Sequence, residues 1–459
     1  MFVARDKELA ILKEELLKNS SATLVYGKRK IGKTTLILEA VKRYSSREVI
    51  YYECIKDTIE NNVKILTDEM KRLSIMPNEF SFENNTFDSV FSFINGLGKE
   101  FVVIIDEYCY LKEYEDSKKV DSLFQNIIDN KLKNINLFIS GSHISMMKDL
   151  LQEKNALFGR FTCALELKEL NYLDASIFCE NISSYDKVAF YAVFGGSPFI
   201  LCQIDYELSL IDNIKRLLLN KSSPVYLYVD SLLLTDMINK TMIDRVLSCL
   251  KNSKKHYKEL EDDLDKGKTG NLSKMLKPLM EIDLIKKEYP INKLNQERKA
   301  TYQINDNILR FYYTYIYKRK YLIDKMDSDT FFDSFIDVSL NEFISRRFED
   351  ICRDYIWELL KKKKINNIYN VGSYYYDDSI NHINDEFDIA LDRNDSYDII
   401  EVKYLKCKVS KNIVKKEIDQ INAIKEVKVK RIGFISINGF EDDVPSLDYK
   451  YDGDDLYKL

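Results

Sequence analysis

Leu24-Val25-Tyr26-Gly27-Lys28-Arg29-Lys30-Ile31-Gly32-Lys33-Thr34-Thr35-Leu36-Ile37 is the stretch on which the fold turns. Gly27 to Thr34 match the pattern G-x-x-x-x-G-K-S/T, with an apolar run before them and a helix-forming run after them. Both flanks matter, because a strand must deliver the loop and a helix N-terminus must follow it for backbone N–H groups to converge on phosphate oxygens. The expected ligands are ATP and Mg²⁺. In that reading Gly27, Lys28, Arg29, Lys30, Ile31, Gly32 and Thr35 line the phosphate chain, Lys33 neutralises the β and γ phosphates, and Thr34 turns its hydroxyl to the metal. The two glycines permit backbone geometry that a Cβ would obstruct.

Working outward, apolar runs recur at Val49-Ile50-Tyr51-Tyr52, Phe101 to Ile105, Ile135 to Ile139 and Ala164 to Leu167, separated by helix-length amphipathic stretches. Continuous apolar strands alternating with helices imply a parallel sheet covered on both faces, so residues 1–170 are read as a doubly wound α/β core. Residues 171–236 turn helical and read as a lid. Between residues 237 and 320 the sequence offers three helices, near Met242 to Leu247, Tyr257 to Leu260 and Asn271 to Leu284, then two extended pieces at Ile285 to Tyr289 and Thr301 to Ile304. Three helices and a hairpin make a winged helix-turn-helix, although Pro278 within the third helix argues for a kink or an interruption. Residues 321–336 read as a helical linker. The last unit, residues 337–459, shows a helix, strands at Glu386 to Asp392 and Tyr397 to Tyr404, another helix, and a strand at Lys430 to Ile435.

At 459 residues the chain has room for about three domains. Its 45% hydrophobic and 31% charged content is that of a soluble globular protein. The eight cysteines form no C-x-x-C pair, which argues against a zinc cluster or a disulfide scaffold and suits a reduced, cytoplasmic setting. Neither a secretory leader nor a membrane span is expected, since charges fall within the first six residues and no uninterrupted apolar run approaches about 18. A net charge of −5 excludes a polycation that coats nucleic acid but leaves a local basic face open. One such face is offered by Lys266 to Tyr289, with six lysines against three acidic residues.

Phe101 to Glu107 ends an apolar strand in two carboxylates. That is where an ATPase needs one group for the magnesium shell, Asp106, and a second to polarise water, Glu107. The next strand ends in Ser140-Gly141-Ser142, and Ser142 is the candidate sensor beside the γ-phosphate, with Ser140 as the alternative. Arg160 is the candidate cation for charge building on the transferred phosphoryl group, because a guanidinium contacts phosphate oxygens bidentately. A surface salt bridge is the other reading of that arginine.

Together these features resemble the archaeal-type ATPase family, within the signal-transduction branch of the additional-strand P-loop ATPases. The likeness rests on Phe2-x-x-Arg5-x-x-Glu8-Leu9, Gly27 to Thr34, Asp106-Glu107, Gly141-Ser142, Phe158-Gly159-Arg160, Gly195-Gly196-Ser197-Pro198 and Tyr302-x-x-x-Asp306-x-x-x-Arg310-Phe311. It implies nucleotide contacts from Arg5 and an adenine contact from Pro198, and it supports the winged helix. Asp283 departs from the family, which usually has glycine there. The C-terminal unit is similar to a domain appended to many family members and to PD-(D/E)xK nucleases. Read from the residues, Glu349 lies on a helix, Asp388 on one strand, and Glu401-Val402-Lys403 on the next. Glu401 and Lys403 share a strand face, and the turn Arg393 to Ser396 brings Asp388 beside them. Asp388 and Glu401 with Lys403 would hold Mg²⁺ and a hydrolytic water, with Gln420 adding a contact. An amphipathic hairpin with a solvated charged face is the alternative. The expectation is thus an ATPase whose nucleotide state controls a winged helix and a nuclease-like effector acting on double-stranded DNA, in a possible homo-oligomer. The alternative is a nucleotide-gated assembly switch with an inactive C-terminal interaction module.

Overall fold

The computed structural model describes residues 2–114, 116–231, 240–264, 272–378, 383–424 and 427–458. They fall into two compact units, residues 1–169 with 197–199, and residues 170–196 with 200–459.

The first unit is built on five strands: β1 (Ser21–Tyr26), β2 (Glu48–Glu53), β3 (Phe101–Asp106), β4 (Ile135–Gly141) and β5 (Cys163–Glu166). They pair in the order β2-β3-β4-β1-β5, all parallel. Every residue of β1, β3 and β4 is buried, and their predominantly apolar sequences suit strands with both faces covered. The helix Lys33–Tyr44 buries Leu36, Ile37, Ala40 and Val41, spaced for one helical face. Each buried leucine or isoleucine there contributes about 1.5–3 kcal/mol. Registers Tyr26↔Gly141 and Ile105↔Ile139 bring the C-terminal ends of β1, β4 and β3 side by side. Insertion of β4 between β1 and β3 therefore sets Ser140 and Ser142 between the phosphate loop and the Asp106-Glu107 pair.

The second unit begins with helices that include Ser184–Phe194, Leu210–Leu218 and Pro224–Ser231. The helix Lys240–Leu250 follows, then β6 (Lys255–His256), the helices Tyr257–Asp263 and Leu272–Glu281, and the strands β7 (Ile285–Glu288) and β8 (Thr301–Ile304). The three strands form an antiparallel sheet in the order β6-β8-β7. The third helix ends at Glu281, short of the expected Leu284, because Asp283 turns the chain with φ 60°. Glycine would occupy that left-handed position without steric cost. Pro278 lies inside this helix, where its missing N–H removes only the bond toward Lys274 and little helix remains beyond it.

Helices Lys320–Ile323 and Ser328–Phe335 lead into a 25-residue helix, Asp337–Lys361. After it come β9 (Asn370–Asp378), β10 (Ile383–Asp392), β11 (Tyr397–Lys403), the helix Lys411–Ala423, β12 (Val429–Ser436) and β13 (Tyr449–Asp452). The sheet order is β13-β12-β11-β10-β9, antiparallel from β9 to β11 and parallel from β11 to β13. Strands β9 and β13 were not expected from the sequence. Among the described residues no helix is long and apolar enough to cross a membrane.

Candidate functional site

The phosphate loop is built around two glycines that no other residue replaces easily. A Cβ on Gly27 would lie 2.2 Å from the Leu167 carbonyl oxygen, and Gly32 caps the following helix at φ 90°. Lys33 is 5% exposed, and its Nζ donates to the carbonyls of Gly27 and Lys28 at 3.0 and 2.9 Å. Burial lowers the Lys33 pKa, while Glu107 and Asp106 oppose that loss of charge. Here is an ammonium spanning a loop whose side chains add three further cations, a cradle whose shape and charge suit a triphosphate tail.

Opposite the loop, the buried Asp106 collects four donors. Thr34 Oγ1 donates to its Oδ2 at 2.5 Å and Tyr51 Oη at 3.2 Å, while Ser140 Oγ and the Glu107 amide, the latter at 3.0 Å, serve Oδ1. Thr34 and Asp106 are adjacent hard oxygen donors, the donor type that Mg²⁺ takes alongside phosphate and water.

Glu107 has φ 50°, left-handed backbone at the end of β3 that costs about 1–3 kcal/mol. That bend turns its carboxylate toward the end of β4. Oε2 accepts from Ser142 Oγ at 2.8 Å, from the Ser142 amide at 3.2 Å and from Cys109 Sγ at 3.4 Å. Ser142 in turn accepts from Arg29 Nε at 3.3 Å, and Arg29 Nη2 donates to Tyr110 Oη at 2.8 Å. Tyr51, Cys109 and Tyr110 were not singled out in the sequence. Tyr51 lies in β2, two residues before its end, and the other two follow Asp106-Glu107, so their places depend on the strand order.

The remaining candidates of this unit are placed as follows. Lys30 extends its ammonium 3.7 Å over the Phe199 ring, next to the half-buried Pro198, and Lys28 is 3.9 Å from Glu169. Thr35 and Ile31 lie on the helix start and in the core respectively. Arg5 donates to the Lys168 carbonyl at 2.6 Å and to Glu8 at 3.1 Å, which ties the N-terminal segment to the chain beyond β5. Arg160 makes a two-pronged contact with Asp129, Nε lying 3.1 and 3.0 Å from its two oxygens. The guanidinium that meets the Ser142–Glu107 pair is Arg29.

In the second unit, Glu349, Asp388, Glu401, Lys403 and Gln420 line one cavity of about 440 Å³. The Val402 amide donates to Asp388 Oδ2 at 2.9 Å, and Lys403 Nζ sits 3.2 Å from Glu401 and 3.1 Å from Glu417. Gln420 donates to Tyr376 Oη at 2.9 Å. Glu417 was missed in the sequence, yet it lies three residues before Gln420 on the helix Lys411–Ala423 and so shares its face. The carboxylates crowd one another. Burial, then the Asp388 charge, pushes Glu349 up to about 7; burial, then Glu401, pushes Asp388 up to about 7. Glu401 is raised chiefly by burial. Burial works against the Lys403 charge, but Glu401, Asp388 and Glu417 outweigh it and hold the ammonium above its usual range. Among the described residues no three His, Cys, Asp or Glu side chains are grouped to hold a metal ion as they stand.

An ionic network flanks this cavity. Lys254, just before β6, pairs with Glu386 at 2.9 Å, while Asp350 meets Arg347 at 2.7 Å, Arg353 at 3.1 Å and Lys286 of β7 at 3.2 Å. The basic face expected over Lys266 to Tyr289 is thus partly engaged. Lys286 also pairs with Glu288, and Lys287 with Glu297. Lys266 and Lys268 lie outside the described residues.

Comparison with known proteins agrees with this layout. Residues 2–204 match a family described as an ATPase domain predominantly from Archaea, and residues 312–421 match one described as archaeal and bacterial proteins of unknown function. An uncharacterized protein of Methanocaldococcus jannaschii is 29% identical over 412 residues, 88% of each chain. Among solved structures, the Walker-type ATPase of Pyrococcus abyssi superposes with a TM-score of 0.50 at 18% identity, covering 68% of this chain and 96% of that one. At that identity the likeness concerns the fold.

Proposed function

We propose that this chain, whose residues 2–204 carry an ATPase domain of the family found predominantly in Archaea, hydrolyses ATP with Mg²⁺ and passes its nucleotide state to a winged helix and a nuclease-like C-terminal domain. The observation that carries the ATPase reading is the direct bond between Thr34 and Asp106, beside a loop shaped for phosphates and next to a second carboxylate, Glu107. Lys33 and the loop amides would bind and orient the phosphate chain, Thr34 and Asp106 would hold the Mg²⁺, and Glu107 would take a proton from the attacking water. The bound Mg²⁺ would supply neutralisation of phosphate charge. Pro198, beside Lys30 and Phe199, stands as the adenine contact by family likeness, with Arg5 as a further nucleotide contact; Arg160, held by Asp129 within this chain, is the alternative cation if a second copy supplies one.

The effector reading draws support from the single cavity shared by Glu349, Asp388, Glu401, Lys403 and Gln420, and from the order helix, three strands, helix, strand that presents them. The helices and small sheet around Lys240 to Ile304 suit a winged helix, and double-stranded DNA is the partner we assign to this part. The alternative, a nucleotide-gated assembly switch, would treat the same cavity as a remnant in an interaction module. ATP turnover with and without DNA, run beside a Mg²⁺-dependent nicking assay of wild type, Asp388→Ala and Lys403→Ala, separates them. Cleavage lost in both variants supports the effector. No cleavage by wild type in any nucleotide state leaves the switch.

A further inference from the structure

We propose that Arg29, in the middle of the phosphate loop, is the cation that contacts the γ-phosphoryl group of ATP, and that it sets the orientation of the general base Glu107 through Ser142. This deepens the ATPase reading and rests on it. Three observations meet at this residue. Arg29 Nε donates to Ser142 Oγ at 3.3 Å, and Nη2 donates to Tyr110 Oη at 2.8 Å. Ser142 Oγ spends its single proton on Glu107 at 2.8 Å. Arg160, the other arginine with a claim to the role, is engaged by Asp129.

A serine hydroxyl has one proton and two lone pairs, so the donor it accepts from biases where its own proton points. With Arg29 donating to Oγ, that proton goes to Glu107. Glu107 Oε2 accepts from Ser142 Oγ, the Ser142 amide and Cys109, and these three donors fix the direction in which the carboxylate points. In this arrangement the base faces β4. A γ-phosphoryl group is a stronger acceptor for a guanidinium than a neutral hydroxyl, because the bond is charge-assisted and can be bidentate. Arg29 therefore transfers from Ser142 to the phosphate, Ser142 Oγ becomes free to donate to the phosphate as well, and Glu107 loses a restraint and turns to the water. ADP lacks the group that draws Arg29 away, so the base stays turned aside when only product is bound. No bond is made or broken in this step; it redistributes three hydrogen bonds.

The test uses the full chain with Mg²⁺, comparing wild type, Arg29→Ala and Arg29→Lys, with Ser142→Ala as a second site. The readouts are kcat, KM, and the affinities for ADP and for the non-hydrolysable triphosphate AMPPNP, with thermal midpoints checking the fold. Arg29→Ala is expected to lower kcat about 10³-fold, within the range for arginines that stabilise phosphoryl transfer. It should weaken AMPPNP about tenfold, as loss of one charge-assisted contact does, and leave ADP within about twofold. Arg29→Lys keeps a charge without the fork and is expected to recover AMPPNP affinity better than kcat. Ser142→Ala should narrow the AMPPNP response of Glu107, seen as a smaller further kcat loss on adding Arg29→Ala. Equal loss of ADP and AMPPNP affinity in a folded Arg29→Ala protein, or turnover within about threefold of wild type, overturns the proposal while leaving the ATPase reading intact. Turnover that depends on protein concentration and vanishes in Arg160→Ala but not Arg29→Ala overturns it in favour of a cation from a second copy. A wild-type chain that discriminates the two nucleotides through Arg29 yet never hydrolyses ATP sinks the hydrolytic reading instead.

Discussion

Both candidate sites bring carboxylates together at strand ends, and they treat the charge in opposite ways. In the first unit Asp106 receives four hydrogen-bond donors and Glu107 three. In the C-terminal cavity Asp388 has one backbone donor, and Glu349, Asp388 and Glu401 are all raised above the usual carboxylate range, chiefly by burial and then by neighbouring carboxylates: Asp388 acting on Glu349, Glu401 on Asp388, and Glu417 on Glu401. Hydroxyl and amide donors can hold an ionised carboxylate without outside help. Crowded, buried carboxylates hold protons more readily, even with the Lys403 ammonium among them. The first site surrounds its carboxylates with hydrogen-bond donors, and the second packs its carboxylates together in a buried cavity.

The largest expected effect that tests this contrast comes from Lys33→Ala, which should reduce ATP affinity by about 10²-fold or more and bring turnover to background, read by nucleotide binding. Retained affinity would mean the loop's lysine is not part of the cradle. Next, Asp350→Asn should cost about 3 kcal/mol in the C-terminal unit, because Arg347, Arg353 and Lys286 would lose a shared partner. Burial works against the Asp350 charge, but those three cations outweigh it and hold its carboxyl well below the usual range. Its contribution is therefore complete above about pH 4 and disappears as the pH falls below that, so wild type and variant should converge in acid unfolding. A smaller pair of effects opposes the two sites directly. Asp106→Asn should destabilise by about 2 kcal/mol, since its donors lose a charged acceptor. Asp388→Asn should be neutral or stabilising by about 1 kcal/mol without metal, and should lose part of any Mg²⁺-induced rise in thermal midpoint. Destabilisation of the same size at both positions would erase the distinction. The smallest change, Ser140→Ala, removes one of the donors to Asp106 and should cost about 1 kcal/mol by chemical denaturation.

Much of this was readable from short, contiguous patterns. The phosphate loop, the Asp106-Glu107 pair and the Glu401-Val402-Lys403 strand are local in sequence, and the five core strands announce themselves by predominantly apolar runs. What escaped was set by distance. Strand β9 carries Gly372 and three consecutive tyrosines, so no alternation marks it; Tyr374 and Tyr376 face the core, while Tyr375 takes the Lys299 ammonium 3.7 Å over its ring. The early stop of the third helix at Glu281 follows from Asp283 holding a left-handed turn that its residue type does not advertise. Arg29 was legible as a loop residue, but its bond to Ser142 spans 113 positions and depends on β4 lying next to β1. Glu417 likewise meets Lys403 only in the folded chain, where the two lie 3.1 Å apart across 14 positions of sequence.

The central claim is that the carboxylates beside the phosphate loop divide their labour, one for the metal and one for the water. ATP turnover and ATP binding measured side by side in wild type and Glu107→Gln test it most directly. The account predicts a kcat lower by about 10²–10⁴-fold with the ATP dissociation constant within about threefold of wild type. Turnover by Glu107→Gln equal to that of wild type would contradict it.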